Sequence, residues 1–242
     1  MLFPSVTTAT IIKNAFIIFF MEAEELARYI DHTNLKMDAS REDIRKLCEE
    51  ALKYNFYAVC VNPYRVRDAK EFLKKSEVKV ASVVGFPLGA NTIDVKVHET
   101  IKSIVDGAEE IDLVMNVGAF KDGDYDYVAR EIETIAEVCH GMNALLKVII
   151  ETSLLTEEEI KKAAKIVVEN GGDFVKTNTG FMKRGVSIRD VEIIKEAIGN
   201  KAGIKASGGI RDAEFAISLI KAGATRLGAS RGVEIIESLK EL

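Results

Sequence analysis

Two lysines could carry unusual chemistry in this chain. Lys176 stands in Asp173-Phe174-Val175-Lys176-Thr177-Asn178-Thr179-Gly180, and Lys205 in Gly203-Ile204-Lys205-Ala206-Ser207-Gly208-Gly209. Each run reads as a short apolar strand with one lysine in it, ending in small hydroxyl residues and glycine. An ammonium is costly to bury unless it is paired or neutralised. Two on neighbouring strands lower each other's pKa, and a neutral lysine is a nucleophile. Asp112 lies in a third apolar run, Glu110-Ile111-Asp112-Leu113-Val114-Met115-Asn116. Alternation sets Asp112, Val114 and Asn116 on one face. A carboxylate there needs a cationic partner, and Lys176 and Lys205 are the candidates if all three point inward. A purely structural buried ion pair is the competing reading. Lys147 and Glu151 share a face of another run and read as wall or network residues of the same site. Cys60 reads as a small core residue at that wall rather than as a nucleophile.

The elements that must position these groups alternate along the chain. Strand-like runs fall at 29–32, 56–61, 78–84, 110–115, 145–151, 173–177, 203–207 and 225–229, with helical spacing between them. Ser40 is a candidate N-cap before the stripe Ile44, Leu47 and Ala51. Thr156-x-x-Glu159 is a capping box, Ser187-x-x-Asp190 opens another helix, and Asp212 can cap the next. Strand–helix units at roughly 30-residue spacing fit a single-domain α/β chain closed as a (β/α)₈ TIM barrel better than an open sheet. In that fold the site lies at the C-terminal ends of the strands, and a phosphate often sits by the last two loops. Those loops are Ser207-Gly208-Gly209-Ile210 and Gly228-Ala229-Ser230-Arg231-Gly232, both expected to open helices and turn N–H groups toward an anion. The second loop also matches G-x-S-x-G, but no histidine follows Ser230, which argues against a hydrolase elbow.

Composition narrows the function further. A net charge of −5 and a pI near 5.5 give no basic nucleic-acid surface. The three cysteines, Cys48, Cys60 and Cys139, are far apart, as expected of reduced thiols in a cytoplasmic protein. His32, His98 and His140 are scattered, so no metal-ligand spacing is visible and no metal is expected. The apolar stretch 11–20 is too short to span a bilayer. Met21 then opens a normal helix start. Residues 1–20 therefore read as an apolar extension, either an overlong start-site assignment or an arm, ahead of a barrel domain over 21–242.

Taken together, the segments Ile30-Asp31-His32-Thr33-Asn34-Leu35, Val59-Cys60-Val61-Asn62-Pro63, Val84-Gly85-Phe86-Pro87-Leu88-Gly89, Glu110-Ile111-Asp112, Leu146-Lys147-Val148-Ile149-Ile150-Glu151-Thr152, Val175-Lys176-Thr177 and Lys205-Ala206-Ser207-Gly208-Gly209-Ile210 resemble the deoxyribose-phosphate aldolases, from about Leu26 to the end. The resemblance implies a (β/α)₈ barrel and a class I aldolase that needs no cofactor. It joins acetaldehyde and glyceraldehyde 3-phosphate, small phosphosugar and aldehyde substrates, as a homo-oligomer without nucleic-acid or membrane partners. It assigns the Schiff base to Lys176, pKa depression and proton transfer to Lys205, and a proton relay to Asp112. It gives phosphate to Gly208, Gly209, Ser230 and Gly180, with Lys183, Arg184 or Arg231 as candidate helpers. The chain departs from the family pattern at Asn178, at Phe181-Met182-Lys183-Arg184 and at Arg231, and it ends Lys240-Glu241-Leu242 where some members carry a terminal tyrosine. Two rivals are another phosphosugar barrel lyase or isomerase, and a non-catalytic phosphosugar-binding barrel.

Overall fold

The computed structural model describes residues 21–239; the apolar extension expected at 1–20 lies outside the described residues. A short helix α1 (Ala23–Ala27) leads into β1 (Ile30–Asn34), α2 (Arg41–Tyr54), β2 (Ala58–Val61), α3 (Val66–Phe72), β3 (Lys79–Val84) and α4 (Ile93–Val105). Then follow β4 (Glu110–Val114), α5 (Val117–Lys121), α6 (Tyr125–Gly141), β5 (Leu145–Ile149), α7 (Glu157–Glu169) and β6 (Phe174–Lys176). The chain closes with α8 (Ile188–Ile198), β7 (Gly203–Ser207), α9 (Ala213–Ala222), β8 (Arg226–Ala229) and α10 (Gly232–Leu239). Every strand pairs in parallel with its neighbours in sequence, and β8 returns to β1, so the eight strands form a closed barrel.

Local chemistry fixes the helix starts. Ser40 and Thr156 each accept from the third residue's N–H, while Asp43 and Glu159 reach back to the cap. Ser187 with Asp190 makes the same box, and Asp212 accepts from Phe215 N. Each such cap is worth about 1 kcal/mol. Outward strand residues such as Val59, Val61, Leu146 and Val148 join the helices' apolar stripes in one large core. The inward face is different. Its apolar part is a small cluster of Leu35, Cys60, Ala81 and Val83, with Phe86 against it. The branched aliphatic layers usual inside such barrels are largely replaced by charged side chains.

Beyond β4 the chain needs a brace that periodicity does not reveal. The fully buried Lys96 on α4 donates to Gly89 O (2.8 Å), Val114 O (2.9 Å) and Glu131 Oε1 (2.5 Å). Glu131 on α6 accepts from Asn116 N at 2.8 Å through its other oxygen. All three ammonium donors are used, and the β3–α4 loop, the end of β4 and the start of α5 are tied to one pair. Burial pulls the Lys96 pKa down and pushes the Glu131 pKa up against their mutual attraction. Asn116 thus leaves the face assigned to it with Asp112: β4 ends at Val114, and Asn116 caps α5, accepting from Ala119 N.

Candidate active site

The interior charges are stacked by the strand register. Asp112 on β4 lies beside Lys147 on β5, Lys176 on β6 beside Lys205 on β7, and Lys205 beside Arg226 on β8. All point inward and all are at least 96% buried. Asp112 is the hub: Oδ1 accepts from Lys147 Nζ at 2.9 Å, and Oδ2 accepts from Lys176 Nζ and Lys205 Nζ at 2.7 Å each. Lys205 also donates to Asp31 on β1. Lys147 pairs with Glu110 at 2.6 Å, and Arg226 bridges Asp31 (2.9 Å) and Glu110 (3.2 Å). At the lower end the Arg226 guanidinium lies 3.5 Å from the Tyr57 ring centroid and 5.4 Å from that of Phe174. Gly203 is required there, since a Cβ would stand 2.3 Å from the Phe174 ring.

Three carboxylates (Asp31, Glu110, Asp112) face four cations (Lys147, Lys176, Lys205, Arg226) in this closed space. Full ionisation leaves one positive charge in excess, which a low-dielectric interior penalises. Sequence alternation leaves open which lysine loses its proton; the geometry separates the two. Lys176 has one carboxylate contact, and burial, helped by the nearby Lys205 ammonium, lowers its pKa against the pull of Asp112. Lys205 suffers the same burial, but Asp112 and Asp31 together more than offset it, and its pKa rises. Lys147 likewise is raised against burial by Asp112 and Glu110. Asp112 itself would be pushed up by burial, yet Lys147, Lys176 and Lys205 hold it well below the usual carboxylate range. Of the three lysines only Lys176 lines the open cavity above.

That cavity, about 710 Å³, sits at the C-terminal ends of the strands. Gly180, Gly208, Gly209 and Ser230 line it together with Lys176, while Lys205, Asp112, Lys147 and Cys60 lie beneath its floor. Cys60 Sγ is 3.7 Å from Asp112 Oδ2. Burial and the Asp112 charge push its thiol up to about 11, which suits an inert wall residue. Gly208 and Gly209 have φ of 98° and 80°, which brings the turn backbone to the cavity. The two loops differ, however. Ser230-Arg231 runs directly into α10, whereas Asp212 separates Gly208-Gly209 from α9 and takes the Phe215 N–H itself. Only the second loop therefore presents a helix N-terminus to the cavity. Of the candidate helpers, Arg231 lines the cavity, Lys183 does not, and Arg184 is turned to Asp190 (2.7 Å) and Thr152 O (2.6 Å).

Glu151 does not continue the β5 face shared with Lys147. The strand stops at Ile149, and Glu151 has a left-handed φ of 54° that breaks the alternation. Its carboxylate instead accepts from Thr179 N (3.0 Å), Thr179 Oγ1 (2.6 Å) and Ser153 Oγ (2.6 Å), holding the loop that carries Gly180. Sequence reasoning missed Asp31, Glu110 and Arg226. Glu110 was legible, since it has the same parity as Asp112 two residues away. Asp31 and Arg226 carried only the weaker signal of a charge in an apolar strand, and their partners lie on strands far away in sequence.

A closed (β/α)₈ barrel with a buried lysine of lowered pKa at the cavity floor, a carboxylate bonded to it and a glycine-rich turn across the cavity is the arrangement of a class I aldolase. The chain belongs to the DeoC/LacD family of aldolases, whose model matches residues 26–237. It is 58% identical over 220 residues to the deoxyribose-phosphate aldolase of Aciduliprofundum boonei, covering 91% of this chain and 99% of that one. It is 56% identical over 222 residues to that of Thermococcus gammatolerans, with 91% and 99% covered. Among solved structures, the tetrameric deoxyribose phosphate aldolase of Aeropyrum pernix superposes with a TM-score of 0.88 at 31% identity, covering 97% of this chain and 98% of that one.

Proposed function

We propose that this chain reversibly joins acetaldehyde and D-glyceraldehyde 3-phosphate to give 2-deoxy-D-ribose 5-phosphate, through a Schiff base on Lys176, in deoxyribonucleotide catabolism. The observation that carries the reading is the asymmetry of the lysines: Lys176 alone is both lowered in pKa and open to the cavity. Its neutral amine attacks the acetaldehyde carbonyl and, with loss of water, forms an iminium. The iminium draws electrons from the adjacent carbon, which loses a proton to become an enamine. That carbon adds to the aldehyde of the acceptor, and hydrolysis of the new iminium frees Lys176. Asp112, bonded to Lys176, and Lys205, bonded to the same Asp112 oxygen, are positioned to move these protons with water. Gly180, Gly208, Gly209 and the Ser230 turn hold the acceptor phosphate, fixing its aldehyde in register with the enamine.

The relatives named above support this substrate pair, and the tetramer described for Aeropyrum pernix supports a homo-oligomer. A cytoplasmic location belongs to the same proposal; among the described residues no helix is long and apolar enough to cross a membrane. The deciding experiment couples acetaldehyde released from 2-deoxyribose 5-phosphate to a dehydrogenase. Turnover is expected. Substrate binding without acetaldehyde release would leave a phosphosugar-binding barrel, and borohydride trapping only with a ketose would point to a different lyase.

A further inference from the structure

Two side-chain polar atoms among the described residues are buried without a hydrogen-bond partner, Thr100 Oγ1 and His32 Nδ1. Thr100 lies on α4, outside the cavity lining; His32 lies in the cavity wall. By alternation it points away from the barrel axis, opposite to Asp31, into the seam between α2 and α10. The ring is 3% exposed and tilts on Phe56 with centroids 5.0 Å apart. Its Nε2 is 2.7 Å from Glu50 Oε2. A carboxylate only accepts, so Nε2 carries the proton; Nδ1 faces no acceptor that would take a proton from it, which leaves it the lone pair.

That lone pair sits against the start of α10. A methyl group added at Gly232, the first residue of the helix, would stand 2.9 Å from His32 Nδ1 and 3.0 Å from Phe56 Cζ. Gly232 has no positive φ, so its lack of a side chain serves this close approach rather than a turn. A helix N-terminus carries partial positive charge on its unpaired N–H groups, and a lone pair beside it is attracted. The residues immediately before it, Ser230 and Arg231, line the cavity.

We infer that His32 is a positioning residue for the anion turn 230–232, with Glu50 fixing the tautomer that leaves Nδ1 facing the helix. The ring sets where the first N–H groups of α10 stand relative to the cavity, and through them the affinity for a phosphoryl group. The inference rests on the phosphate reading of that turn given above.

The test uses two variants that split the imidazole. His32→Gln keeps an amide at the Nε2 position, within reach of Glu50, and removes the atom at Nδ1. His32→Asn keeps an amide atom at Nδ1 and loses Glu50. Inorganic phosphate binding is measured by calorimetry, alongside kcat and KM for 2-deoxyribose 5-phosphate. In His32→Gln the phosphate Kd and the KM should rise about fivefold to tenfold, the scale of a partly buried interaction with a helix N-terminus, with kcat changed by no more than about twofold. His32→Asn should move them less. In the wild type, 15N spectra should show the Nε2-protonated tautomer, with an Nδ1 resonance that shifts as phosphate is added. Unchanged phosphate affinity in His32→Gln, a reversed order of the two variants, parallel losses of kcat and affinity, or an unmoved Nδ1 resonance would each overturn the inference. If neither variant folds, the wild-type titration decides it. A wild type that binds no phosphate would remove the phosphate reading beneath it, a failure distinct from the others.

Discussion

Replacing Lys205 by Met tests the charge arithmetic of the barrel most directly. Lys176 and Lys205 share one oxygen of Asp112 at 2.7 Å each, so their nitrogens cannot be far apart. At about 5 Å and an effective dielectric of about 20 their repulsion is about 3 kcal/mol. Removing it favours the Lys176 ammonium about a hundredfold. The freed oxygen of Asp112 then serves Lys176 more closely, which acts in the same direction. Burial of Lys176 remains, so part of its lowered pKa survives. The assay is the rate at which acetaldehyde and borohydride leave an ethyl group on Lys176, followed against pH and assigned by peptide mapping. At pH 7 the Lys205→Met protein should trap about a hundredfold more slowly than the wild type, and should recover as the pH is raised. An unchanged rate and pH profile would refute the coupling. A wild-type adduct on Lys205 would refute the assignment of the nucleophile.

Asp112→Asn should lower kcat on the order of 100-fold, the usual scale for a lost acid–base group, and should also lower the melting temperature, because Lys147, Lys176 and Lys205 lose their shared carboxylate. Near-normal kcat in the folded variant would make Asp112 structural. Ser230→Glu should raise KM for 2-deoxyribose 5-phosphate far more than for 2-deoxyribose; equal changes would remove the phosphate assignment. Lys96→Met, which strands the buried Glu131, should cost about 3–5 kcal/mol in urea unfolding, and adding Glu131→Gln should restore part of it. Unaltered stability in the single variant would mean that water reaches the pair. Asp31 adds an acid limb. Burial works to raise its carboxyl, but Lys205 and Arg226 bring it from 3.8 down to about 2. A depressed carboxylate stabilises fully above its unfolded pKa, so this contribution, on the order of 2 kcal/mol, should be lost as the pH falls from 3.8 toward about 2. Urea midpoints that stay flat over that window would contradict it.

The barrel was legible because its signals are local. Apolar runs of strand length, capping boxes at Ser40, Thr156 and Ser187, and glycines after β7 each act within a few residues. The strand ends were less so: the run 145–151 overshoots β5 because the left-handed turn at Glu151 leaves no mark in hydropathy. Lys176, Lys205 and Asp112 stood out as charges in apolar strands, and the structure brings all three onto one oxygen or its own carboxylate. What alternation alone could not provide was the count of charges around them. Arg226 and Asp31 are 195 residues apart in sequence yet hydrogen-bonded, and Lys96 meets Glu131 across two helices. Such pairs are fixed by closure of the barrel, which no short window of sequence contains.

The sealed ionic interior also constrains how this chain can change over generations. A substitution on the outer surface alters one contact. One that removes a single charge from Asp31, Glu110, Asp112, Lys147, Lys205 or Arg226 changes the sum that Lys176 answers to, and so shifts that lysine toward one proton state. The Glu110–Arg226 pair at the lower end can drift only as a couple, an acid and a base lost together, while either step alone passes through a poorly active intermediate. The interior should therefore change rarely and in compensated pairs, and a lineage that has lost one member is expected to have lost its opposite as well.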